Sequence, residues 1–419
     1  MRIALLNDSF PPVIDGVANV VVNYASILTK HGHDVVVATP DVPGAKDDYP
    51  FPVVRYTSLN TTKLVGYRAG YPFSAPALGE LKDFKPDIIH SHCPVASNLL
   101  GRTLREQTGA PLIFTYHTKF DIDIRTAVKG KLLQNELITA LVKNVQASDE
   151  VWTVSHGAGE NLRSIGYQGA YSVMDNGVDM PQQRADQKEI DAISRRYGLR
   201  PDQPVFLFAG RLRWYKGIRH IIEGLARAQK AGADFRMIFV GDGSDREAIE
   251  KLCRQAYIDQ RCVFVGAVQD RELLRAFYSR ADLFLFPSTF DTNGIVVREA
   301  AACGLGALLV RGSCAAEGVT DGQNGLLMDE NGEDLCRQAL FACKNLDAVR
   351  QIGHNAQQQL YLSWEDAVTR AEARYQEVAK QCASAQRKPR RDLIPLVADW
   401  VGAVNYMRDI SSQVIDLLR

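Results

Sequence analysis

The stretch PVFLFAGRLRWYKGI, residues 204–218, runs from an apolar segment through a cationic turn into a segment with helical spacing. The segment PVFLFAG has the length and the continuous apolar character of a β-strand buried on both faces. Arg211 and Lys216 lie in the turn, and Ile218 opens the helical segment. A strand, a turn and a helix in this order form the unit of a parallel sheet with crossover helices. The stretch therefore predicts a doubly wound α/β domain.

The same unit recurs on both sides of this stretch, because short apolar segments alternate with longer segments of helical spacing. The predicted strands of the first half are RIALLN (2–7), DVVVAT (34–39), DIIHSH (87–92), PLIFTYH (111–117), EVWTV (150–154) and AYSVM (170–174). Those after the quoted stretch are FRMIFVG (235–241), CVFVG (262–266), DLFLFP (282–287) and ALLVR (307–311). Residues 177–204 interrupt the pattern with polar residues and prolines, which predicts a linker with a short helix.

A chain of 419 residues is too long for one ordinary core, so two domains are expected. We predict a Rossmann-like N-terminal domain over 1–180 and a second Rossmann-like domain over 181–360. Residues 356–382 have helical spacing, and a helix over 361–382 is expected to return to the N-terminal domain. The two parallel sheets are expected to face a central cleft, because such sheets bind ligands at the carboxyl ends of their strands.

Composition limits the classes of function. The chain has 49 basic and 49 acidic side chains, so no long-range field favours nucleic acid as a partner. Its eight cysteines are scattered without a CxxC pair, which indicates reduced thiols rather than a disulfide framework or a zinc site. The N-terminal MRIALLNDSFPP is typical of a first strand rather than a signal peptide, and no apolar run approaches transmembrane length. These features predict a cytoplasmic protein.

Two strand-end turns of the second domain suit phosphate binding. Arg211 and Lys216 lie five positions apart between a strand end and a helix start, where two cations can converge on a diphosphate. A solvated surface pair is the alternative. Gly241 and Gly243, in VGDGS, allow close backbone approach to a ligand at the end of the next strand.

The segment STFDTNGIVVREAAACG, residues 288–304, places Asp291 eight positions before Glu299. Between them lies a turn, Thr292–Gly294, and then a predicted helix whose N-terminal N–H groups favour phosphate. The two carboxylates can accept hydrogen bonds from polyols, Asp291 from sugar hydroxyls and Glu299 from a ribose. A helix N-cap is the alternative role for Asp291, and a solvated helix face is the alternative for Glu299.

The first domain offers two candidates at the predicted cleft. Gly16 follows a proline-bearing loop after the first strand and opens a helix, which would let backbone approach a ligand. His117 ends the fourth long strand, where a structural role is the alternative.

Three patterns resemble metal ligands but are discounted. DID (121–123) matches a DxD pattern in the wrong chain context, while HGH (31–33) and HSH (90–92) lack further ligands at metal-site spacing. We therefore expect no metal and no cofactor.

Assembled, the motifs resemble the retaining GT-B glycosyltransferases of family 4 over about residues 1–380. The most similar branch includes bacterial diacylglycerol glucosyltransferases and phosphatidylinositol mannosyltransferases. The segments that carry the resemblance are FPPVIDGVANVV, HGHDVVVATP, PDIIHSH, TYHTKF, DNGVD (175–179), GRLRWYKG, VGDGS, FVGAV and STFDTNGIVVREA. The resemblance implies a GT-B fold and transfer of a hexose from a nucleotide sugar to an acceptor hydroxyl, with retention of configuration and without a metal.

The resemblance also implies a role for each candidate residue. The catalytic set would be Arg211, Lys216, Asp291 and His117, and the donor-binding set would be Gly16, Gly241, Gly243, Ala267, Val268, Thr292, Asn293, Gly294 and Glu299. By position, the two cations would bind the diphosphate and His117 would contact the donor sugar near its O6. Asp291, with the backbone of the following turn, would hold the transferred sugar and its β-phosphate. Glu299 would hold the ribose, and backbone atoms of 266–268 would contact the base.

The sequence departs from the family pattern at two positions. The family usually has glutamate at both ends of the acid pair, but the first acid here is Asp291, which reaches one methylene less. The family often has glutamate before the lysine of the cationic turn, where this chain has Tyr215. Neither change removes a phosphate-binding cation, so activity is still expected.

The donor and the acceptor are less defined than the fold. UDP-glucose is the expected donor, with GDP-mannose and UDP-N-acetylglucosamine as alternatives. A membrane glycerolipid is one acceptor, and a polysaccharide or a small molecule is another. Other enzymes on this fold, an epimerase or a phosphorylase, fit the motifs less well. A non-catalytic nucleotide-sugar sensor is the remaining alternative, which the departures at Tyr215 and Asp291 favour.

The tail, residues 383–419, is predicted to be a basic linker followed by an amphipathic helix. Its basic run RKPRR (387–391) and apolar stripe could bind the inner face of the cell membrane as a peripheral contact. The favoured alternative is a helix that packs on the body of the protein or in an oligomer, because its charges are mixed.

Overall fold

The computed structural model of the protein describes residues 1–13, 15–61 and 68–384. The predicted linker and amphipathic helix of the tail lie outside the described residues from 385 onward. The chain divides into two compact units. The first combines Met1–Asp175 with the segment that begins at Trp364, and the second is Asn176–Ser363. The first unit therefore ends at Asp175 rather than at residue 180, and the chain returns to it after the second unit is complete.

The first unit is built on a seven-stranded parallel sheet. Its strands are β1 (Arg2–Leu6), β2 (Asp34–Pro40), β3 (Val53–Tyr56), β6 (Ile88–Ser91), β7 (Leu112–Tyr116), β8 (Glu150–Thr153) and β9 (Ser172–Val173), and a separate antiparallel pair is β4 (Ser58–Leu59) and β5 (Ala69–Gly70). The strand order is β3-β2-β1-β6-β7-β8-β9. The helices described in this unit are α1 (Gly16–Lys30), α2 (Ala75–Phe84), α3 (Ala96–Thr108), α4 (Phe120–Ala127), α5 (Lys131–Gln146), α6 (His156–Ser164) and, at the far end of the chain, α14 (Trp364–Ser384).

The second unit is built on a six-stranded parallel sheet. Its strands are β10 (Val205–Ala209), β11 (Arg236–Val240), β12 (Cys262–Gly266), β13 (Leu283–Phe286), β14 (Ala307–Val310) and β15 (Leu326–Met328). The described helices are α7 (Gln187–Tyr197), α8 (Ile218–Lys230), α9 (Arg246–Gln255), α10 (Arg271–Arg280), α11 (Ile295–Ala302), α12 (Gly332–Lys344) and α13 (Leu346–Gln359). The predicted α/β fold class, with two doubly wound parallel sheets, is confirmed.

The strand order of the second unit, β12-β11-β10-β13-β14-β15, creates a topological switch point. From β10 the chain winds outward to β11 and β12, and then returns to place β13 on the other side of β10. The helices that follow β10 and β13 therefore diverge, which opens a crevice at the carboxyl ends of these two strands. Both strands are wholly apolar and buried, as the sequence pattern predicts.

The structure differs from the sequence-based prediction between residues 356 and 382. The predicted single helix is divided between α13 and α14, with a break at 360–363. In the break, the N–H of Val178 donates to the carbonyl of Leu362 at 3.0 Å, and Val178 forms a parallel bridge with Ser363. These pairings use backbone groups in a strand-like contact, so the helix cannot run through.

Several side chains attach α14 to the first unit. Arg374 forms a bidentate pair with Glu150, with both N–O distances at 2.8 Å. At the C-terminal end of α1, His31 contacts Glu372 through Nδ1 at 2.8 Å and Glu365 through Nε2 at 2.9 Å. No helix in the ranges that the structure describes is both long and apolar enough to cross a bilayer.

We expect the histidine contact to make the stability of the first unit depend on pH. Hydrogen bonds from the His31 ring to the carboxylates of Glu365 and Glu372 raise the pKa of His31 above its ordinary value of 6.5. A raised histidine pKa stabilises the folded state fully below the unfolded pKa, and this stabilisation is lost as the pH rises through the folded pKa. The melting temperature of His31→Gln should therefore fall furthest below that of the wild type near pH 6, with a smaller difference at pH 8.5.

A matched control is Lys30→Gln, since the Lys30 ammonium also pairs with Glu365, at 3.1 Å, but is not the imidazole to which the pH dependence is assigned. Its melting-temperature difference should stay nearly constant between pH 6 and 8.5. If the melting-temperature difference between His31→Gln and the wild type were also constant over this pH range, His31 would not be the source of the pH dependence.

Candidate active site

The carboxyl ends of β12, β11 and β10 are joined by hydrogen bonds between their turns. The N–H of Gly210 donates to the carbonyl of Val240 at 3.0 Å, and that of Gly241 donates to the carbonyl of Gly266 at 2.8 Å. One step further, the N–H of Leu212 donates to the carbonyl of Asp242 at 3.0 Å. The cationic turn, the VGDGS turn and the GAV segment thus form one continuous edge of the second unit.

Gly241 and Gly243 are required by the close approach of these turns. A Cβ at Gly241 would lie 1.9 Å from the carbonyl oxygen of Gly210, and Gly241 also has a φ of 132°. A Cβ at Gly243 would lie 2.4 Å from the carbonyl oxygen of Leu212. The two glycines therefore allow the VGDGS turn to pack directly against the turn that contains Arg211 and Lys216. Their predicted contact with a ligand stays a prediction.

Lys216 and Asp291 come together although they lie far apart in the chain. The Lys216 ammonium donates to Oδ1 of Asp291 at 2.5 Å, and the Ser288 hydroxyl donates to Oδ2 at 2.5 Å. The side chains of the ion pair are largely shielded, with 13% and 21% of their surface exposed. Each carboxylate oxygen of Asp291 thus has a protein donor, and the ammonium keeps further N–H groups for a second anion.

Arg211 contrasts with this half-buried pair. Its side chain is exposed, and within the described part of the chain it makes no hydrogen bond or ion pair. A guanidinium carries five N–H donors in a planar fork that matches phosphate oxygens. Arg211 therefore has its full set of donors available at the end of β10.

The turn between Asp291 and α11 presents backbone to the same edge. Gly294 is the N-cap of α11 and has a φ of 64°, a conformation that glycine adopts without strain. The N-cap position is thus not taken by Asp291, the role considered as its alternative. Thr292 and Asn293 precede the N-terminus of α11, and a helix N-terminus favours an anion.

Glu299 is buried, with 7% of its surface exposed, so it does not lie on a solvated helix face. Its carboxylate has two protein partners, both on α10. Arg271 donates through Nη2 to Oε1 at 2.9 Å, and the Tyr278 hydroxyl donates to Oε2 at 3.1 Å. Burial and the charge of Glu299 raise the pKa of Tyr278 well above its ordinary value, so the phenol remains a donor at neutral pH.

The departure at Tyr215 places an aromatic ring beside the ion pair. Tyr215 is 39% exposed and packs against Phe290, with ring centroids 4.6 Å apart. The Lys216 ammonium lies 5.6 Å from the centre of the Tyr215 ring. Tyr215 directly precedes Lys216 in the chain, and Phe290 directly precedes Asp291. The contact between the two rings therefore joins the two positions, 215 and 291, at which this chain departs from the family pattern.

Ala267 and Val268 follow β12, next to the VGDGS turn. Ala267 is exposed and Val268 is half-buried against the core of the second unit. Their backbone therefore lies at the outer end of the same edge as the cations. The predicted contact with a base stays a prediction.

Gly16 and His117 belong to the first unit. Gly16 is the first residue of α1, whose N-cap Asp15 accepts from the N–H of Ala18 at 2.7 Å, and a Cβ at Gly16 would meet no atom within 4 Å. His117 follows β7 and contacts Nδ1 of His92 through Nε2 at 3.0 Å. Burial lowers the pKa of His117 from 6.5 to about 3, so this imidazole is neutral at physiological pH.

Three supporting residues were missed by sequence reasoning, Arg271, Tyr278 and Ser288, and His92 was considered only as part of a metal-ligand pattern. The seven-residue spacing of Arg271 and Tyr278 could have indicated a shared helix face. The contacts of Ser288 and His92 are tertiary and have no comparable local pattern.

Both units are similar in sequence to known protein families. The sequence model of Glycosyltransferase Family 4 matches residues 14–181, and the model of Glycosyl transferases group 1 matches residues 189–359. An alpha-monoglucosyldiacylglycerol synthase of Acholeplasma laidlawii is 24% identical over 85% of this chain and 92% of its own. A GDP-mannose-dependent alpha-mannosyltransferase of Mycobacterium tuberculosis is 28% identical over 85% of this chain and 89% of its own.

The fold is also similar to that of solved structures. The Anabaena protein HepE, solved in complex with UDP, superimposes with a TM-score of 0.69 at 18% identity. The match covers 92% of this chain and all of HepE. At this identity the similarity bears on the fold alone.

Proposed function

Because the chain belongs to the family 4 glycosyltransferases and has their GT-B fold, we propose that it is a retaining hexosyltransferase that uses UDP-glucose as its donor. The proposed acceptor is the hydroxyl group of a membrane glycerolipid, and the reaction needs neither a metal ion nor a cofactor. The enzyme would then work as a peripheral protein at the inner face of the cell membrane.

The observation that carries the proposal is the cluster of Lys216, Asp291 and Ser288, together with the exposed Arg211 at the end of β10. Two cations and one carboxylate lie at the switch point between β10 and β13, next to the N-terminus of α11. A diphosphate and a polyol are the two groups that this set of donors and acceptors suits. In a nucleotide sugar the diphosphate is bonded directly to the anomeric carbon of the sugar, so both groups lie side by side.

The proposed reaction breaks the bond between the anomeric carbon and the diphosphate oxygen, and forms a bond to the acceptor oxygen on the same face. The acceptor proton passes to the departing phosphate, so no protein base is required. The leaving diphosphate gains negative charge as the bond breaks. Arg211, Lys216 and the N–H groups of α11 stabilise that charge, Lys216 from a position set by its ion pair with Asp291. Such stabilisation is the largest contribution expected of this kind of site.

The lipid acceptor and the glucose donor are supported by relatives rather than by geometry. The Acholeplasma laidlawii protein is named for a glucosyldiacylglycerol product, and the Mycobacterium tuberculosis protein for a GDP-mannose donor. GDP-mannose is therefore the second candidate donor. A polysaccharide or a small molecule is the second candidate acceptor.

The experiment measures release of nucleoside diphosphate from UDP-glucose, UDP-N-acetylglucosamine, GDP-mannose and ADP-glucose, in EDTA, with and without dioleoylglycerol in detergent micelles. We expect slow release of UDP from UDP-glucose that diacylglycerol accelerates. Acceleration with GDP-mannose instead would replace the donor, and release without a lipid effect would contradict the lipid acceptor. Binding without release from any donor would favour a nucleotide-sugar sensor, and loss of activity in EDTA would contradict metal independence.

A further inference from the structure

Helix α10 supplies two donors to one buried carboxylate. Arg271 and Tyr278 lie seven residues apart on this helix, which is about two turns, so their side chains share one face. Both reach Glu299 on α11, one at each carboxylate oxygen, at 2.9 and 3.1 Å. Two convergent donors fix the position of a carboxylate and the plane in which its remaining lone pairs lie.

The two donors differ in burial. Tyr278 is fully buried, whereas 45% of the Arg271 side chain is exposed. The carboxylate of Glu299 therefore lies between the core of the second unit and a side chain that reaches solvent. A carboxylate in that position is paired with a guanidinium and can accept two more hydrogen bonds.

We propose that Arg271 and Tyr278 are positioning residues that hold the Glu299 carboxylate for the ribose hydroxyls, and so make the site prefer ribonucleotides to 2′-deoxyribonucleotides. The inference rests on the proposed function, in which Glu299 binds the ribose. A ribose offers two adjacent hydroxyl donors, and a carboxylate held at a fixed angle can receive both. A 2′-deoxyribose leaves one acceptor position on a buried carboxylate unpaired, which a site built for a hydroxyl rejects.

The test compares the dissociation constants of UDP and 2′-deoxy-UDP, and of GDP and 2′-deoxy-GDP, by calorimetry on the full-length protein. We expect the wild type to bind the ribonucleotide of its preferred base about tenfold more tightly than the 2′-deoxy form, the worth of one hydrogen bond to a charged group. In Arg271→Gln and in Tyr278→Phe this ratio should fall toward one, mainly through weaker binding of the ribonucleotide.

The matched control is Arg337→Gln, because Arg337 is also an exposed arginine in an ion pair, with Asp334 on α12. It should keep the wild-type ratio. Arg271 is half-exposed, so its variant tests the inference even where Tyr278→Phe proves unstable; circular dichroism and melting curves check both.

Three results would overturn the inference. An unchanged ratio, with all nucleotides weakened equally, would assign Arg271 and Tyr278 a structural role only. Tighter ribonucleotide binding by Arg271→Gln would mean that the guanidinium competes with the ribose for Glu299. Failure of the wild type to bind either ribonucleotide would contradict the nucleotide site itself, and with it both proposals.

Discussion

Replacing Lys216 with alanine should reduce kcat by about a hundredfold to a thousandfold, the usual effect of removing one preorganised charge donor. The lost ammonium would no longer stabilise the leaving diphosphate. Stability should fall as well, by about 1–3 kcal/mol, because Asp291 would be left largely shielded with Ser288 as its one remaining donor among the described residues. Initial rates at saturating UDP-glucose, measured below the melting temperature, separate the two effects.

The control for this variant is Lys230→Ala, an exposed lysine in the last turn of α8. It should change neither kcat nor the melting temperature noticeably. Turnover by Lys216→Ala at the wild-type rate would contradict the diphosphate assignment.

Replacing Arg211 with alanine should give a similar loss of kcat with almost no loss of stability. The Arg211 side chain is exposed and unpaired among the described residues, so its removal should change the free energy of unfolding by less than about 0.5 kcal/mol. Loss of activity at constant stability is therefore the expected result for a side chain that acts on the donor alone. Steady-state kinetics and a urea unfolding curve measure the two quantities.

Arg254→Ala serves as the control, since Arg254 is an exposed arginine in the last turn of α9. It should retain both activity and stability. If Arg211→Ala retained full activity too, the result would contradict a role in donor binding. Arg211 would then be an ordinary solvated surface residue.

The parallel sheets were predictable because their strands are buried on both faces and therefore read as continuous apolar runs. The segments 204–210 and 282–287 were identified for this reason, and they correspond to β10 and β13. Four of the shortest strands were not predicted, whereas the edge strands β9 and β12 were. β3, β4, β5 and β15 are two to four residues long, and such short strands depend on pairing that the local sequence does not encode.

The candidate site was predictable where its residues follow a strand, and was missed where they meet through tertiary contacts. Arg211 and Lys216 follow β10, and Asp291 follows β13, so strand ends locate them. That Lys216 and Asp291 form an ion pair required the adjacency of β10 and β13, which the chain order does not give. The partners of Glu299 were missed for the same reason, because they lie on a different helix.

The central claim is that this chain transfers glucose to a lipid hydroxyl with retention. It is tested most directly by incubating the protein with UDP-glucose carrying a labelled sugar and dioleoylglycerol micelles in EDTA. The lipid is then extracted, and its anomeric proton is examined by NMR. The account predicts a labelled glycolipid with the α configuration of the donor. A β-linked product, or label found only in water-soluble products while UDP is released, would contradict it.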